Sequence, residues 1–214
     1  SLGNIGLVHS DKGDYDKTLD CHKRSLTIQE EVGDKVGMRR SLHNIGLVHE
    51  NKGEYDKALD YHKRSLTICE DIGDKRGMVR SLHSIGIVHE NKGDYDKALD
   101  YHKRSLTIHE EVGDKEGMGY TLYNIGIVHA NKGDYDTALD YYNRSLTICE
   151  DIGEKHGMGY SLNNIGNVHY SKDDYDTALD YYGRSLAIQE ELGDKYGMGS
   201  SLGNIGLVHS DKGD

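Results

Sequence analysis

The chain has 214 residues, with 26 Lys and Arg against 37 Asp and Glu, and a formal net charge of −11 at pH 7. Non-specific affinity for nucleic acid comes largely from Lys and Arg that neutralise phosphates, so this charge argues against a nucleic-acid partner and an anionic membrane surface. The longest apolar runs, such as residues 85–88, are interrupted by Gly or ended by His, so we expect no membrane span. Cys21, Cys69 and Cys149 are odd in number and fall at unrelated or distant positions, which indicates reduced thiols and predicts a cytoplasmic protein.

One unit of sequence, the repeat, recurs every 40 residues along the chain. Such a fixed period is typical of stacked supersecondary units, each of which buries its apolar face against its neighbours. We therefore expect residues 1–214 to form a single elongated repeat array. Its repeats occupy residues 1–40, 41–80, 81–120, 121–160 and 161–200, followed by a partial sixth repeat at 201–214.

The first helix of each repeat, helix A, is indicated by apolar residues at helical spacing. It is predicted to begin after an acid at the end of the preceding repeat, such as Asp34, because a carboxylate there can cap the helix and suits its dipole. It is predicted to end near Gly53 and its counterparts, which can adopt the left-handed conformation, although Asp173 breaks this pattern. The apolar positions are Leu2, Ile5, Gly6, Val8 and His9, with their counterparts in each complete repeat.

The second helix, helix B, follows at once and is predicted to begin near an acid such as Glu54 and to end at Gly73. Connections this short force consecutive helices to run antiparallel. Small residues at three positions, represented by Gly6, Ala58 and Ser25, indicate that the two helices cross closely. The sequence thus predicts an all-α fold of antiparallel helix pairs. In repeat 1, the apolar face of helix B comprises Tyr15, Leu19, His22, Leu26 and Val32.

The run NIGIVHANKGDYDTALDYY, residues 124–142, resembles the tetratricopeptide repeat, whose 34-residue unit has a similar Leu-Gly, Gly-Asp-Tyr, Ala and paired-aromatic pattern. The 40-residue period, with its extra VGDKEGM-type segment, is more similar to the Leu-Gly-Asn-repeat (Pins-type) subclass. Three positions depart from the tetratricopeptide pattern: the aromatic at the head of helix A is Leu, a later aromatic is His49 or its counterparts, and the terminal Pro is Glu30. The resemblance covers the whole chain and implies a right-handed α-solenoid of helix pairs.

One side of helix A, the inner face, consists of repeat positions 40, 3, 4, 7, 10 and 11, which the packing residues leave uncovered. In tetratricopeptide arrays this side is similar to an extended peptide groove, so the resemblance implies ligand contacts here. Position 4 is Asn except at Ser84, and we call this row of side chains the amide ladder. Asn has both a donor and an acceptor, so the amide ladder can pair with an extended peptide backbone. The alternative is an Asn that bonds the neighbouring helix and fixes the stacking.

The chemistry of the inner face changes along the chain. Arg40 and Arg80 come one turn before position 4, and guanidinium groups favour carboxylates, so repeats 1–3 are expected to prefer an acidic segment. The alternative is that these are solvated surface charges. Later repeats are aromatic and neutral, with Tyr120 and Tyr160 beside the site. The predicted peptide-binding residues are Arg40, His43, Asn44, Leu47, Arg80, His83, Ser84, Ile87, Tyr123, Asn124, Ile127, Asn163, Asn164, Asn167 and Tyr170.

The 13 His residues raise the question of a metal site. Those at position 9, such as His49, fall on the buried face in place of an aromatic, which favours a satisfied core or interhelical hydrogen bond. A weaker alternative is transition-metal capture by His43 and His83 across adjacent helices. The sequence contains no HExxH or paired CxxC motif, no nucleophile with its base and no Gly-rich phosphate loop. We therefore expect neither catalysis nor a cofactor.

These features together predict a non-enzymatic scaffold that binds a protein or peptide partner on its inner face. The competing hypothesis is a structural array whose partner is itself. Residues 1–14 and 201–214 are identical, SLGNIGLVHSDKGD, so the apolar face at one end is expected to cover the other end of a second copy, head to tail.

Overall fold

The computed structural model describes residues 15–213, so predictions made for residues 1–14 lie outside the described residues. Residues 15–213 form ten α-helices joined by short turns, without a β-strand, and none of these helices is long and apolar enough to cross a membrane. Even-numbered helices are helix A of successive repeats, and odd-numbered helices are helix B. The helices are α1 (Tyr15–Val32), α2 (Lys35–Asn51), α3 (Tyr55–Ile72), α4 (Lys75–Asn91), α5 (Tyr95–Val112), α6 (Lys115–Asn131), α7 (Tyr135–Ile152), α8 (Lys155–Ser171), α9 (Tyr175–Leu192) and α10 (Lys195–Lys212).

Helix A begins at the predicted acid. The carboxylate of Asp34 accepts a hydrogen bond from the backbone N–H of Gly37 at 2.9 Å, at the start of α2. Such a cap stabilises a helix by about 1 kcal/mol because it satisfies a backbone donor that has no partner inside the helix. The prediction is confirmed at all five described A helices, which are capped by Asp34, Asp74, Asp114, Glu154 and Asp194.

The helices end at left-handed glycines, as predicted. Gly73 closes α3 with φ at 67°, and Gly53 follows α2 with φ at 72°. An L-residue is strained in this conformation, whereas Gly has no Cβ to clash with the following carbonyl. Asp173, with φ at 59°, is the one non-glycine residue at positive φ in the range 15–213. The turn therefore keeps its geometry even where the sequence departs from Gly.

In repeats 2 to 5, helix A and helix B approach each other so closely that a Cβ at position 6 would overlap a ring of helix B. A Cβ built on Gly46 would lie 2.5 Å from the ring of His62, and one on Gly126 would lie 2.6 Å from the ring of Tyr142. A second close approach lies at Ser65, whose Oγ donates to a backbone carbonyl of helix α2 at 3.2 Å. The predicted close crossings are confirmed at both positions.

The described chain divides into two compact units, an N-terminal unit that ends at Ile108 and a C-terminal unit that begins at His109. Each unit is a stack of antiparallel A and B helices around an aliphatic core, with Leu42 and Ile45 among the fully buried residues of the first and Ile125 of the second. Fully burying one such side chain stabilises the fold by about 1.5–3 kcal/mol. The structure confirms the predicted all-α solenoid fold of antiparallel helix pairs.

The predicted apolar face of helix B needs one correction. Leu19, His22 and Leu26 are buried, and Tyr15 is half-buried, as expected from their spacing. Val32 is 71% exposed, so its assignment to the buried face was wrong. The reason is its place in the helix, since Val32 is the last residue of α1, where the chain turns towards α2.

The His at position 9 has a repeated structural role. The Nδ1 of His49 lies 2.6 Å from the Oε2 of Glu54, the residue before α3. The same ring stacks on Tyr61 with a centroid distance of 5.4 Å, and the guanidinium of Arg64 covers the ring of Tyr61 at 5.4 Å. His89, His129 and His169 make the corresponding contacts in the next three repeats. The prediction of an interhelical hydrogen bond in place of the missing aromatic is confirmed.

Candidate functional site

On the N-terminal unit, the inner face presents groups that are available to a ligand. Arg40 and Arg80 are exposed and form no salt bridge within the described residues. Asn44 lies one turn after Arg40 and is half-buried, and no hydrogen bond to its amide is found among residues 15–213. Leu47 is exposed and Ile87 is half-buried on the same side. These side chains combine two cations, an available amide and an apolar floor.

Two of the predicted residues on this unit lie beneath the inner face. His43 is buried, with its ring centroid 5.3 Å from that of His62, and Ser84 is also buried. Burial is the main cause that lowers the pKa of His43 to about 3, with smaller effects from nearby cations. His83 is half-buried, and its ring lies 5.7 Å from that of His102. His43 is paired with helix α3 in this way, and residues 15–213 contain no cluster of three potential metal ligands.

On the C-terminal unit, the inner face carries three tyrosines, Tyr120, Tyr123 and Tyr160, which we call the tyrosine surface. Tyr120 is 54% exposed and Tyr160 is 47% exposed. Tyr123 is half-buried, with its ring centroid 6.4 Å from that of Tyr160 and 5.9 Å from that of Tyr142. Burial raises the pKa of the Tyr123 hydroxyl, so it stays protonated. Ile127 is half-buried further along α6.

The amides of the C-terminal unit differ in how far they are already bonded. Asn124 donates one N–H to the carbonyl of Tyr120 at 2.9 Å, and no further hydrogen bond to its amide is found among the described residues. Asn164 donates to the hydroxyl of Tyr123 at 2.9 Å and to the carbonyl of Tyr160 at 3.1 Å. Both amide hydrogens of Asn164 are thus taken within the chain, whereas Asn124 keeps one donor and its carbonyl oxygen.

Near the end of the chain, amides connect neighbouring A helices. The Nδ2 of Asn204 donates to the Oδ1 of Asn163 at 3.1 Å and to the Oδ1 of Asn167 at 3.2 Å. Asn167 also accepts from the hydroxyl of Tyr182 at 2.9 Å, and Tyr170 donates its hydroxyl to Asp211. The hydrogen bonds of these asparagines correspond to the alternative interpretation of the amide ladder, in which Asn bonds the neighbouring helix and fixes the stacking of the repeats.

Sequence reasoning missed the distribution of charge between the two units. Residues 1–108 contain 18 Lys and Arg and 18 Asp and Glu, whereas residues 109–214 contain 8 and 19. The whole net charge of −11 therefore belongs to the C-terminal unit. Tyr120 and Tyr160 were also left out of the predicted binding residues, although both stand at position 40, where repeats 1 and 2 have arginines. A count of charged residues in each half of the sequence would have found the uneven charge.

Antiparallel helix pairs that recur every 40 residues define a helical-repeat protein. The tetratricopeptide repeat family matches residues 1–71, 77–151 and 157–214. The chain belongs to that family.

Comparison with solved structures gives the same fold. BtubC (BKLC) from P. vanneervenii is 19% identical with a TM-score of 0.81, and the match covers 94% of this chain and 85% of that one. Aspartyl phosphate phosphatase F from Bacillus subtilis is 17% identical with a TM-score of 0.87, over 98% of this chain and 54% of that one. A Rap protein complexed with competence and sporulation factor is 18% identical with a TM-score of 0.76, over 97% and 57%. No curated protein sequence matches the chain.

Proposed function

We propose that this protein is a non-enzymatic scaffold for protein–protein interaction, and that its inner face binds an extended segment of a partner protein. The observation that carries the proposal is the row of Arg40, Asn44 and Leu47 on α2, which offers a cation, an available amide and an apolar contact to solvent. An extended segment matches such a row because its backbone pairs with amides and its alternate side chains reach apolar contacts. Membership of the tetratricopeptide repeat family supports the proposal, as does the Rap relative solved with competence and sporulation factor.

The segment that binds the N-terminal unit is acidic in this proposal. Arg40 and Arg80 lie at the same position of consecutive A helices, and no carboxylate among the described residues pairs with either guanidinium. A guanidinium binds a carboxylate through two parallel hydrogen bonds, which gives geometric selectivity in addition to charge attraction. The predicted peptide-binding residues of the C-terminal unit, among them Asn124 and Ile127, contact the partner in the same way in this proposal.

Three finer points belong to the same proposal. The 40-residue period supports the Leu-Gly-Asn-repeat subclass. The buried free thiols of Cys21, Cys69 and Cys149 support a cytoplasmic protein.

Residues 1–214 act as one repeat array, so calorimetry should show a single cooperative unfolding transition, and two separate transitions would contradict this point.

Charge reversal on the inner face tests the proposal. A peptide array identifies segments that bind the wild-type chain, and R40E/R80E should lose the acidic ones, because two attractive guanidinium groups become repulsive carboxylates. The matched control is R24E/R64E, which reverses the same number of charges on α1 and α3, where both arginines form ion pairs on exposed helix surfaces. The proposal would be contradicted if both variants lost affinity for acidic segments equally, or if the wild-type chain bound no segment in the peptide array.

A second candidate function is head-to-tail self-association. Leu202 and Leu207 of α10 are 52% and 56% exposed, whereas Leu42 and Leu162, at the same repeat position as Leu202, are 1% and 2% exposed. An apolar face of this kind favours coverage by another copy of the chain. Light scattering over a range of concentrations should then show an increasing mass for the 214-residue chain that L202E abolishes. A constant monomer mass would remove this candidate.

A further inference from the structure

The tyrosine surface of the C-terminal unit combines two exposed tyrosines with a half-buried one. Tyr120 and Tyr160 are 54% and 47% exposed, and the ring of Tyr123 lies between α6 and α8, 6.4 Å from that of Tyr160. Grouped exposed aromatic rings are unusual on a surface that binds nothing, and aromatic residues are enriched where proteins bind partners. The surface also has a polar group at its edge, the Oδ1 of Asn124, which accepts no hydrogen bond from the described residues.

The chain itself shows how its tyrosines bind cations. On the B helices, Arg64, Arg104, Arg144 and Arg184 each cover the ring of a tyrosine three residues earlier, with distances to the ring centroid of 5.4, 5.3, 5.1 and 5.0 Å. A guanidinium is held over a phenol ring because the ring face carries partial negative charge and because the two planar groups can stack. The tyrosine surface offers the same ring chemistry to a group from outside the chain.

Charge distinguishes this surface from the inner face of the N-terminal unit. Position 40 is Arg40 and Arg80 in repeats 1 and 2, and those guanidinium groups repel a cation. In repeats 3 and 4 the same position is Tyr120 and Tyr160, and residues 109–214 carry the whole net charge of −11. A surface of neutral rings within a strongly acidic unit attracts cations by long-range electrostatics and holds them through the rings.

We propose that the tyrosine surface binds an arginine-containing segment of a partner protein, with guanidinium groups stacked on Tyr120, Tyr123 and Tyr160. Arg is favoured over Lys because its planar group stacks on the rings and can also donate an N–H to the carbonyl oxygen of Asn124. The inference rests on the proposed function, since it names the chemistry that the inner face of the C-terminal unit selects. It gives the two units opposite preferences, an acidic segment for the first and a basic segment for the second.

Binding of short blocked peptides to the full chain tests this inference. The probe alternates Gly with Arg, and two reference peptides replace Arg by Pro or by Lys. The wild-type chain should bind the Arg peptide most tightly. Y120S/Y160S should weaken that binding by about two- to thirty-fold for each ring, the range expected for cation–π contacts between exposed and desolvated sites. Y120F/Y160F should keep most of the affinity, because Phe retains the ring face.

The matched control is Y196S, which removes a tyrosine that is 89% exposed in the first turn of α10, outside the tyrosine surface. It should leave affinity for the Arg peptide unchanged, and circular dichroism should show the same helix content for all variants. Unchanged affinity in Y120S/Y160S, or tighter binding of the Pro peptide, would overturn the inference. If these outcomes occur while R40E/R80E still fails to bind acidic segments, only the inference about the tyrosine surface is wrong and the proposed function stands. If the wild-type chain binds no peptide of any kind, both the inference and the proposed function are wrong.

Discussion

At the scale of single residues, the most unusual groups are the buried histidines of the N-terminal unit. The two ring nitrogens of His62 and the two of His102 are buried without a hydrogen bond. Burial, with a smaller effect from His83, lowers the pKa of His102 to about 4, against 6.5 for an unperturbed His. In the C-terminal unit the corresponding residues are Tyr142 and Tyr182, which are also fully buried but cannot accept a proton in this pH range.

His102 predicts that acid destabilises the N-terminal unit. Between about pH 6.5 and pH 4 the unfolded chain binds a proton at His102 that the folded chain does not, so the free energy of unfolding falls as pH falls through this range. Between pH 7 and pH 5, the effect of His102 alone should lower the free energy of unfolding by about 1–2 kcal/mol. The matched variant is H83Y/H102Y, which copies the pair Tyr123 and Tyr142 of the next repeat.

Urea unfolding of the wild type and H83Y/H102Y at pH 7 and pH 5 measures this effect. On acidification the free energy of unfolding of the variant should fall by about 1–2 kcal/mol less than that of the wild type, because the buried base His102 has been removed together with His83 beside it. His43, whose pKa is lowered to about 3 beside His62, Arg39, Arg80 and His83, continues to contribute in both chains. The same acid loss in both chains would show that His102 does not limit stability.

At the scale of helices, the packing of helix A on helix B depends on the glycine at position 6. A Cβ on Gly126 would lie 2.6 Å from the ring of Tyr142, so G126A forces the helices apart or displaces the ring. We expect G126A to lower the free energy of unfolding by about 1–3 kcal/mol, because overpacking outweighs the better helix propensity of Ala.

The chain contains its own control for this substitution. Gly206 occupies the same repeat position in α10, and no atom lies within 4 Å of a Cβ built there. G206A should therefore raise stability by up to about 1 kcal/mol through helix propensity alone. Thermal or urea unfolding measures both variants. A stabilised G126A would mean that the close approach in the structure is not required.

Much of the helical architecture could be predicted from sequence because its determinants are local. The cap at Asp34, the left-handed Gly73 and the hydrogen bond of His49 each depend on residues a few positions apart, and the repeats show them several times. The burial of His43 and the bonding of Asn164 could not be predicted, since they depend on which neighbouring helix lies against each side chain. Val32 was missed for a different reason, since its spacing matches the buried positions but it is the last residue of α1, where the chain turns towards α2.

At the scale of the whole molecule, the two units share one fold and differ in surface chemistry. Their inner faces differ at the same repeat positions, with arginines in the N-terminal unit and tyrosines in the C-terminal unit. The balanced charge of residues 1–108 and the acidic character of residues 109–214 follow the same division. A repeat scaffold can vary position 40 in this way, because the apolar residues that pack helix A against its neighbours, such as Leu42 and Ile45, lie at other repeat positions.

The central claim, that a partner segment binds the inner face, is tested most directly by methyl NMR of the chain with an acidic peptide. Leu47 and Ile87 report from the inner face of α2 and α4, and Ile28, which is 50% exposed on α1, is the control on a B helix. Titration should shift the methyl signals of Leu47 and Ile87 and leave those of Ile28 in place. Shifts at Ile28 without shifts at Leu47 and Ile87 would contradict the claim.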